Sequence, residues 1–124
     1  MIPKFRAWDK RENTMRDVAV LHFTKGGKVN SIEYWKTPSE LKSYHVRNLV
    51  LMQSTGLKDK NDVEIFEGDI GWDDHQEVHG QVIFENGAFK YEWENISEDL
   101  FEVTDDIEIV GNIYENSELL EGSE

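Results

Sequence analysis

The chain has 124 residues, 38% of them hydrophobic and 11% aromatic, with no cysteine and a formal net charge of −13. That length suits one domain, and the missing thiols exclude disulfides, zinc ribbons, iron–sulfur clusters and cysteine catalysis while fitting a reducing compartment. The charge is uneven: residues 1–60 hold 12 Lys/Arg and 6 Asp/Glu, whereas residues 61–124 hold 1 and 20.

Lys4 to Asp9 reads as a strand, with Phe5 and Ala7 alternating against Arg6 and Trp8, and Lys10 to Asn13 as a turn. Asp17 to Thr24 is apolar on both faces, which predicts a buried strand. Lys25-Gly26-Gly27-Lys28 is a hairpin turn, because Gly-Gly allows the positive φ that tight hairpins require. Val29 to Lys36 is the returning strand. Thr37-Pro38-Ser39-Glu40 has the composition of a helix start, and Leu41 to His45 is expected to form one or two helical turns. Leu49 to Ser54 is expected as a strand, Thr55 to Asn61 as a polar loop and Val63 to Phe66 as a short strand closed by Glu67-Gly68-Asp69. Ile70 to Trp72 continues extended into a turn over Asp73 to Glu77.

The firmest signal is the pair of alternating runs around Asn86-Gly87. Val78, Gly80, Val82 and Phe84 precede that turn; Phe89, Tyr91 and Trp93 follow it as core-facing rings. Ser97, beside Glu98 and Asp99, predicts a helical turn within Asn95 to Phe101. Ile107, Ile109 and Ile113 around Val110 form the last strand.

The fold class is therefore mainly β with minor short helices. A single domain over 1–124 is expected, made of a basic lobe at 1–60 (a β-hairpin plus a short helix) and an acidic small β-barrel at 61–116. Residues 117–124 form an acidic tail, expected to be mobile although Leu119 and Leu120 can dock. Strands every 8–12 residues make an SH3-like barrel the expectation for the acidic lobe. No apolar run approaches the roughly 18 residues of a membrane span. The first residues carry no apolar signal-peptide core, so a cytoplasmic location is expected.

No catalytic constellation is visible. Glu67-Gly68-Asp69-Ile70 fits a tight turn whose aspartate bonds nearby amides better than a pair of catalytic carboxylates. His75 and His79 are four apart, a metal-ligand spacing on a helix, but about 13 Å apart on an extended strand. A carboxylate metal site around Asp69, Asp73 and Asp74 is the least favoured reading. The serines lack a nucleophile-elbow context, and Lys25-Gly26-Gly27-Lys28 lacks phosphate-loop spacing. No cofactor is expected.

Two features suggest contact surfaces. Lys4, Arg6, Trp8, Lys10 and Arg11 interleave cations with an aromatic, so phosphate contacts and base stacking are conceivable; an edge strand guarded by positive charge is the plainer account. Trp72, after Gly71, is expected at a barrel rim as a contact residue.

Three segments combine into a wider pattern: Lys4-Phe5-Arg6-Ala7-Trp8-Asp9; Leu51 to Asn61 running into Glu64-Ile65-Phe66-Glu67-Gly68-Asp69-Ile70; and Ile109-Val110-Gly111-Asn112-Ile113-Tyr114-Glu115-Asn116. Together they resemble the YopX family of small bacteriophage and prophage proteins, across nearly the whole chain apart from about residues 17–48. The resemblance implies a mostly β protein with a pseudo-barrel lobe, made in an infected or lysogenic bacterial cell, and brings no catalytic residues with it. Family members often place a β-branched residue where this chain has Gly71, which predicts a kink or bulge after Ile70.

A non-enzymatic module that binds a host or phage protein is the leading expectation. The opposed charges of the two halves make a homo-oligomer a further expectation. The alternative is a nucleic-acid-binding protein, or a DNA mimic acting on nucleic-acid machinery.

Overall fold

The computed structural model describes residues 4–121. Residues 1–3, read for a signal peptide, and 122–124 of the expected tail lie outside the described residues. The chain divides into two compact units, Met1–Gln53 and Ser54–Glu124. No helix among the described residues is long and apolar enough to cross a membrane.

The first unit is an antiparallel sheet. Its strands are β1 (Phe5–Asp9), β2 (Thr14–Phe23), β3 (Val29–Thr37), β4 (Glu40–His45) and the first part of β5 (Leu49–Lys58), in the order β4-β3-β2-β1-β5. Strand alternation puts Ile32 and Tyr34 of β3 on one face, where they are buried with Ala7 and Leu49; Val18, Leu21, Tyr44 and Leu51 pack against them. Gly27, at φ +91, turns the β2–β3 hairpin as expected.

Three expectations for this unit are corrected. Leu41 to His45 is not helical but is strand β4, with Tyr44 opposite Ile32 and Leu41 opposite Trp35. Five residues cannot nucleate a helix against a ladder that pairs their backbone and places Tyr44 on the core. The helical content here is a single 3-10 turn at Val46–Asn48. Second, β2 is not a buried strand: Val20 is 39% exposed and Phe23 57%. Register shifts between Val18 and Val20 and between His22 and Phe23 break the simple alternation on which the two-faced reading relied. Third, β1 is no edge strand, because it pairs with β2 on one side and β5 on the other.

The second unit begins where β5 continues through Ser54–Lys58 to pair with β6 (Glu64–Phe66), so the expected loop from Thr55 is partly strand. Next come β7 (Asp69–Asp73), β8 (Val78–Glu85), β9 (Ala88–Trp93), β10 (Ile96–Asp99) and β11 (Ile107–Asn112) in an antiparallel sheet ordered β10-β9-β8-β7-β11. Asn86 at φ +54 and Gly87 at φ +81 form the β8–β9 turn as the sequence predicts, since both central residues of such a hairpin need positive φ. Ser97 starts no helical turn; it lies in β10 opposite Glu92, and the 3-10 turn follows at Leu100–Glu102. The ladders leave β10 and β11 at opposite edges, so SH3-like closure is not among them. The expected tail carries a helical turn, α1 (Glu118–Glu121), which rests against β8.

The core of this unit is Ile65, Val82, Tyr91, Leu100, Val103 and Ile107, with Phe89 and Trp93 packed against it, as the aromatic row predicts. Gly71 and Gly80 lie opposite each other on β7 and β8, and the ring of Tyr91 covers both. A Cβ on Gly71 would sit 2.9 Å from the Tyr91 hydroxyl, and one on Gly80 would overlap the ring itself. The expected irregularity after Ile70 is a bulge on the partner strand, between Ile109 and Gly111 of β11, while β7 stays in register with β8. Burial pushes the Tyr91 phenol far above its ordinary range, with the Asp73 carboxylate adding to the shift.

Gly80→Ala is expected to cost about 1–3 kcal/mol by overpacking against Tyr91. In denaturant titrations the Gly80→Ala, Tyr91→Leu double variant should lose less than the sum of the two single losses. Additive losses would show that Tyr91 is not what excludes a side chain at Gly80.

Candidate functional site

The basic N-terminal segment is folded into the first unit. Trp8 is 8% exposed, which removes it as a platform for a base. Asp9 is fully buried at the end of β1 and gathers two arginines. Arg11 donates to it through the backbone N–H (3.0 Å), Nε (3.3 Å) and Nη2 (3.1 Å), and Arg16 through Nε (3.3 Å). Both guanidinium groups also cover tyrosine rings, Arg11 over Tyr44 at 3.1 Å and Arg16 over Tyr34 at 4.7 Å. Arg16 donates further to Glu12 at 3.0 Å. Arg11 thus serves as a counter-ion to Asp9 while its side chain stays partly exposed. Lys10 is exposed in the turn after β1, and Arg6 is half-buried opposite Asp17 and Met52.

Burial alone would push the Asp9 carboxyl up. The hydrogen bonds and charge of Arg11, with the Arg16 bond, outweigh burial together and hold it below the ordinary 3.8. The folded value is the lower one, so the ionised carboxylate contributes stability that is complete above roughly pH 4 and lost as pH falls through the folded value. Asp9→Asn should cost about 3 kcal/mol at neutral pH. The difference in Tm between the two proteins should shrink as pH drops through that window; a gap that stays constant to pH 2 would contradict the assignment.

The recognisable segments of the second unit fasten backbone. Asp59 is 5% exposed. Its Oδ1 accepts the N–H groups of Asn61 (2.8 Å) and Val63 (2.9 Å), and its Oδ2 accepts that of Ile109 (2.8 Å). Asp69 accepts the Phe66 N–H at 2.7 Å, the turn role its sequence context predicts. Gly68, at φ +89, donates to Val82 and accepts from Ile113, both at 2.9 Å. Asn112 Oδ1 accepts from Tyr114 (3.0 Å) and Glu115 (2.9 Å), while its own N–H donates to Asn116 Oδ1 (3.2 Å). A side chain on Gly111 would run into Asn116.

The remaining candidates are similarly occupied. Asp73 Oδ1 accepts from His75 and Gln76, and Asp74 pairs with Lys60 Nζ (2.9 Å) and the Trp72 indole N–H (2.5 Å). Among the described residues no three His, Asp or Glu side chains are placed to hold a metal ion. Trp72 is half-buried on β7 rather than open at a rim, and its ring lies 4.8 Å from that of His79.

His79 leads to a feature with no clear sequence signal, a cleft of about 280 Å³ between β8, the end of β9 and α1. Val78, His79 and Gln81 line it from β8; Glu92, Trp93 and Glu94 from β9 and the turn after it; Leu119 and Leu120 from α1. The unit that holds it is strongly acidic. Ser54–Glu124 contains 21 Asp/Glu and 3 Lys/Arg. All three cations are held by aspartates: Lys58 by Asp62 (3.6 Å), Lys60 by Asp74 (2.9 Å) and Lys90 by Asp99 (2.6 Å). The hydrogen bonds that Lys60 and Lys90 donate to Asp74 and Asp99 raise the pKa of the two lysines.

Asp59→Ala is expected to destabilise the second unit by about 1–3 kcal/mol, since it removes the acceptor of three backbone amides. Asp59→Asn, which keeps one acceptor oxygen, should lose less in urea titrations. Equal losses would mean that the acceptor oxygen Asn retains contributes nothing.

Comparison with known proteins accords with this arrangement. Protein EF1440 from Enterococcus faecalis, known from a crystal structure, is 32% identical, with a TM-score of 0.75 and coverage of 97% of this chain and 99% of that one. YopX from Bacillus subtilis, also solved by crystallography, shares the fold at 23% identity, with a TM-score of 0.68 and 98% coverage of both chains. No curated protein matches. The YopX protein family model matches residues 4–121, and the chain belongs to the YopX family.

Proposed function

We propose that this chain is a non-enzymatic protein-interaction module of phage or prophage origin, acting in the cytoplasm of a bacterial host cell. Its acidic unit is the surface that meets a basic host or phage protein. The observation that carries this reading is the uncompensated charge of Ser54–Glu124, whose 3 cations are each already taken by an aspartate. Crowded like charges repel one another, and a cationic surface relieves that repulsion while steering encounter over distances near the Debye length.

Nucleic-acid binding through Arg6, Trp8, Lys10 and Arg11 has less support, because Trp8 is buried and Arg11 is committed to Asp9 and Tyr44. Phage or prophage origin and the cytoplasmic setting rest on the family likeness.

Proteins retained from bacterial lysate by the immobilised chain at low salt should be basic and should elute as salt rises. A variant with Glu77, Glu85, Glu92, Glu94 and Glu115 changed to Gln should retain less of the same set. Retention that ignores both salt and these substitutions, or no retention at low salt, overturns the reading.

A further inference from the structure

We infer that the cleft between β8, β9 and α1 is an anchor point for one lysine or arginine side chain flanked by an aliphatic residue, carried on an extended segment of a partner protein. The inference rests on the function proposed above and narrows it to a place and a chemistry. The cleft combines the apolar Val78, Leu119 and Leu120 with Glu92 and Glu94, both exposed residues, and no lysine or arginine lines it. The cross-strand neighbours of Glu92 are Gln81 and Ser97, neither of which is charged. Lys90 shares the Glu92 face of β9 but is drawn to Asp99 at 2.6 Å. Neither glutamate is paired with a lysine or arginine of the lining.

A lining that mixes apolar side chains with carboxylates suits lysine and arginine, whose methylene stems bury against apolar surface while the charged head meets a carboxylate. At about 280 Å³ the cleft falls just under the usual range for a small-molecule pocket, roughly 300–1,000 Å³, and suits a side chain with its neighbour better than a cofactor. Its carboxylates disfavour phosphate-bearing ligands.

The test is an NMR titration of the full chain, ¹⁵N-labelled, at low salt with the blocked peptide Leu-Arg-Leu-Arg. Parallel titrations use Gly-Arg-Gly-Arg and Leu-Glu-Leu-Glu. Saturable amide shifts confined to residues 78–81, 92–94 and 118–121 are expected. The Glu92→Gln, Glu94→Gln double variant, whose fold the same spectra check, should bind about tenfold more weakly. Gly-Arg-Gly-Arg should bind more weakly than the leucine peptide, and Leu-Glu-Leu-Glu should not bind. Shifts spread over the acidic surface and lost with salt would overturn the cleft while leaving the acidic interaction face standing. Cleft shifts unchanged in the double variant would overturn the cationic anchor, and absence of binding by either arginine peptide would overturn the inference whole. A dimer in sedimentation that the double variant dissolves would make a second copy the occupant and likewise overturn it.

Discussion

The second unit depends on a carboxylate that takes no part in its surface charge. Asp59 sits at the end of a strand pair and holds three backbone amides, one of them fifty residues further along the chain. That bond, with the one from Lys60 N–H to Ile107 O at 3.1 Å, ties the β5–β6 connection to β11. Gly68 then links to Ile113 and Val82, and Asn112 organises the turn that leads to α1. Buried polar backbone must find partners, and here a few short side chains supply them where the ladders stop.

The first unit uses a buried aspartate differently. Asp9 accepts from two guanidinium groups rather than from a run of amides, and each guanidinium lies over a tyrosine ring on the way. Removing one member of such a cluster leaves its buried partner uncompensated, so the two arginines are first of all structural. The two units thus leave opposite residues at the surface: part of the basic charge of the first is spent inside it, while most of the acidic charge of the second faces water.

Much of this was legible in the sequence. The Asn86-Gly87 hairpin and the core row Phe89, Tyr91 and Trp93 follow from local chemistry and period-two alternation. The pattern shared by three separated segments identified the family before any geometry. Leu41 to His45 misled because a proline and a glutamate resemble a helix start, whereas the deciding contact, Tyr44 against Ile32, is between strands. Trp8 looked like an accessible ring because alternation with Arg6 and Lys10 suggested one open face; that face is instead covered at Trp8, which is 8% exposed. The cleft was invisible because residues from β8, β9 and α1 meet only after folding. The adjacent pair Leu119-Leu120, in an otherwise acidic stretch, was its single trace.

The bond from Ile109 to Asp59 also sets an order of events. The hairpins of β7 to β10 join near neighbours in the chain and can form early, but the tie to β11 closes a long loop, and non-local contacts of that kind are slow to form. A chain made from its N-terminus presents Asp59 long before its distant partner exists. Until residue 109 has been synthesised, Oδ2 of that carboxylate lacks its amide partner, and the unit stays open on the side where β11 will lie.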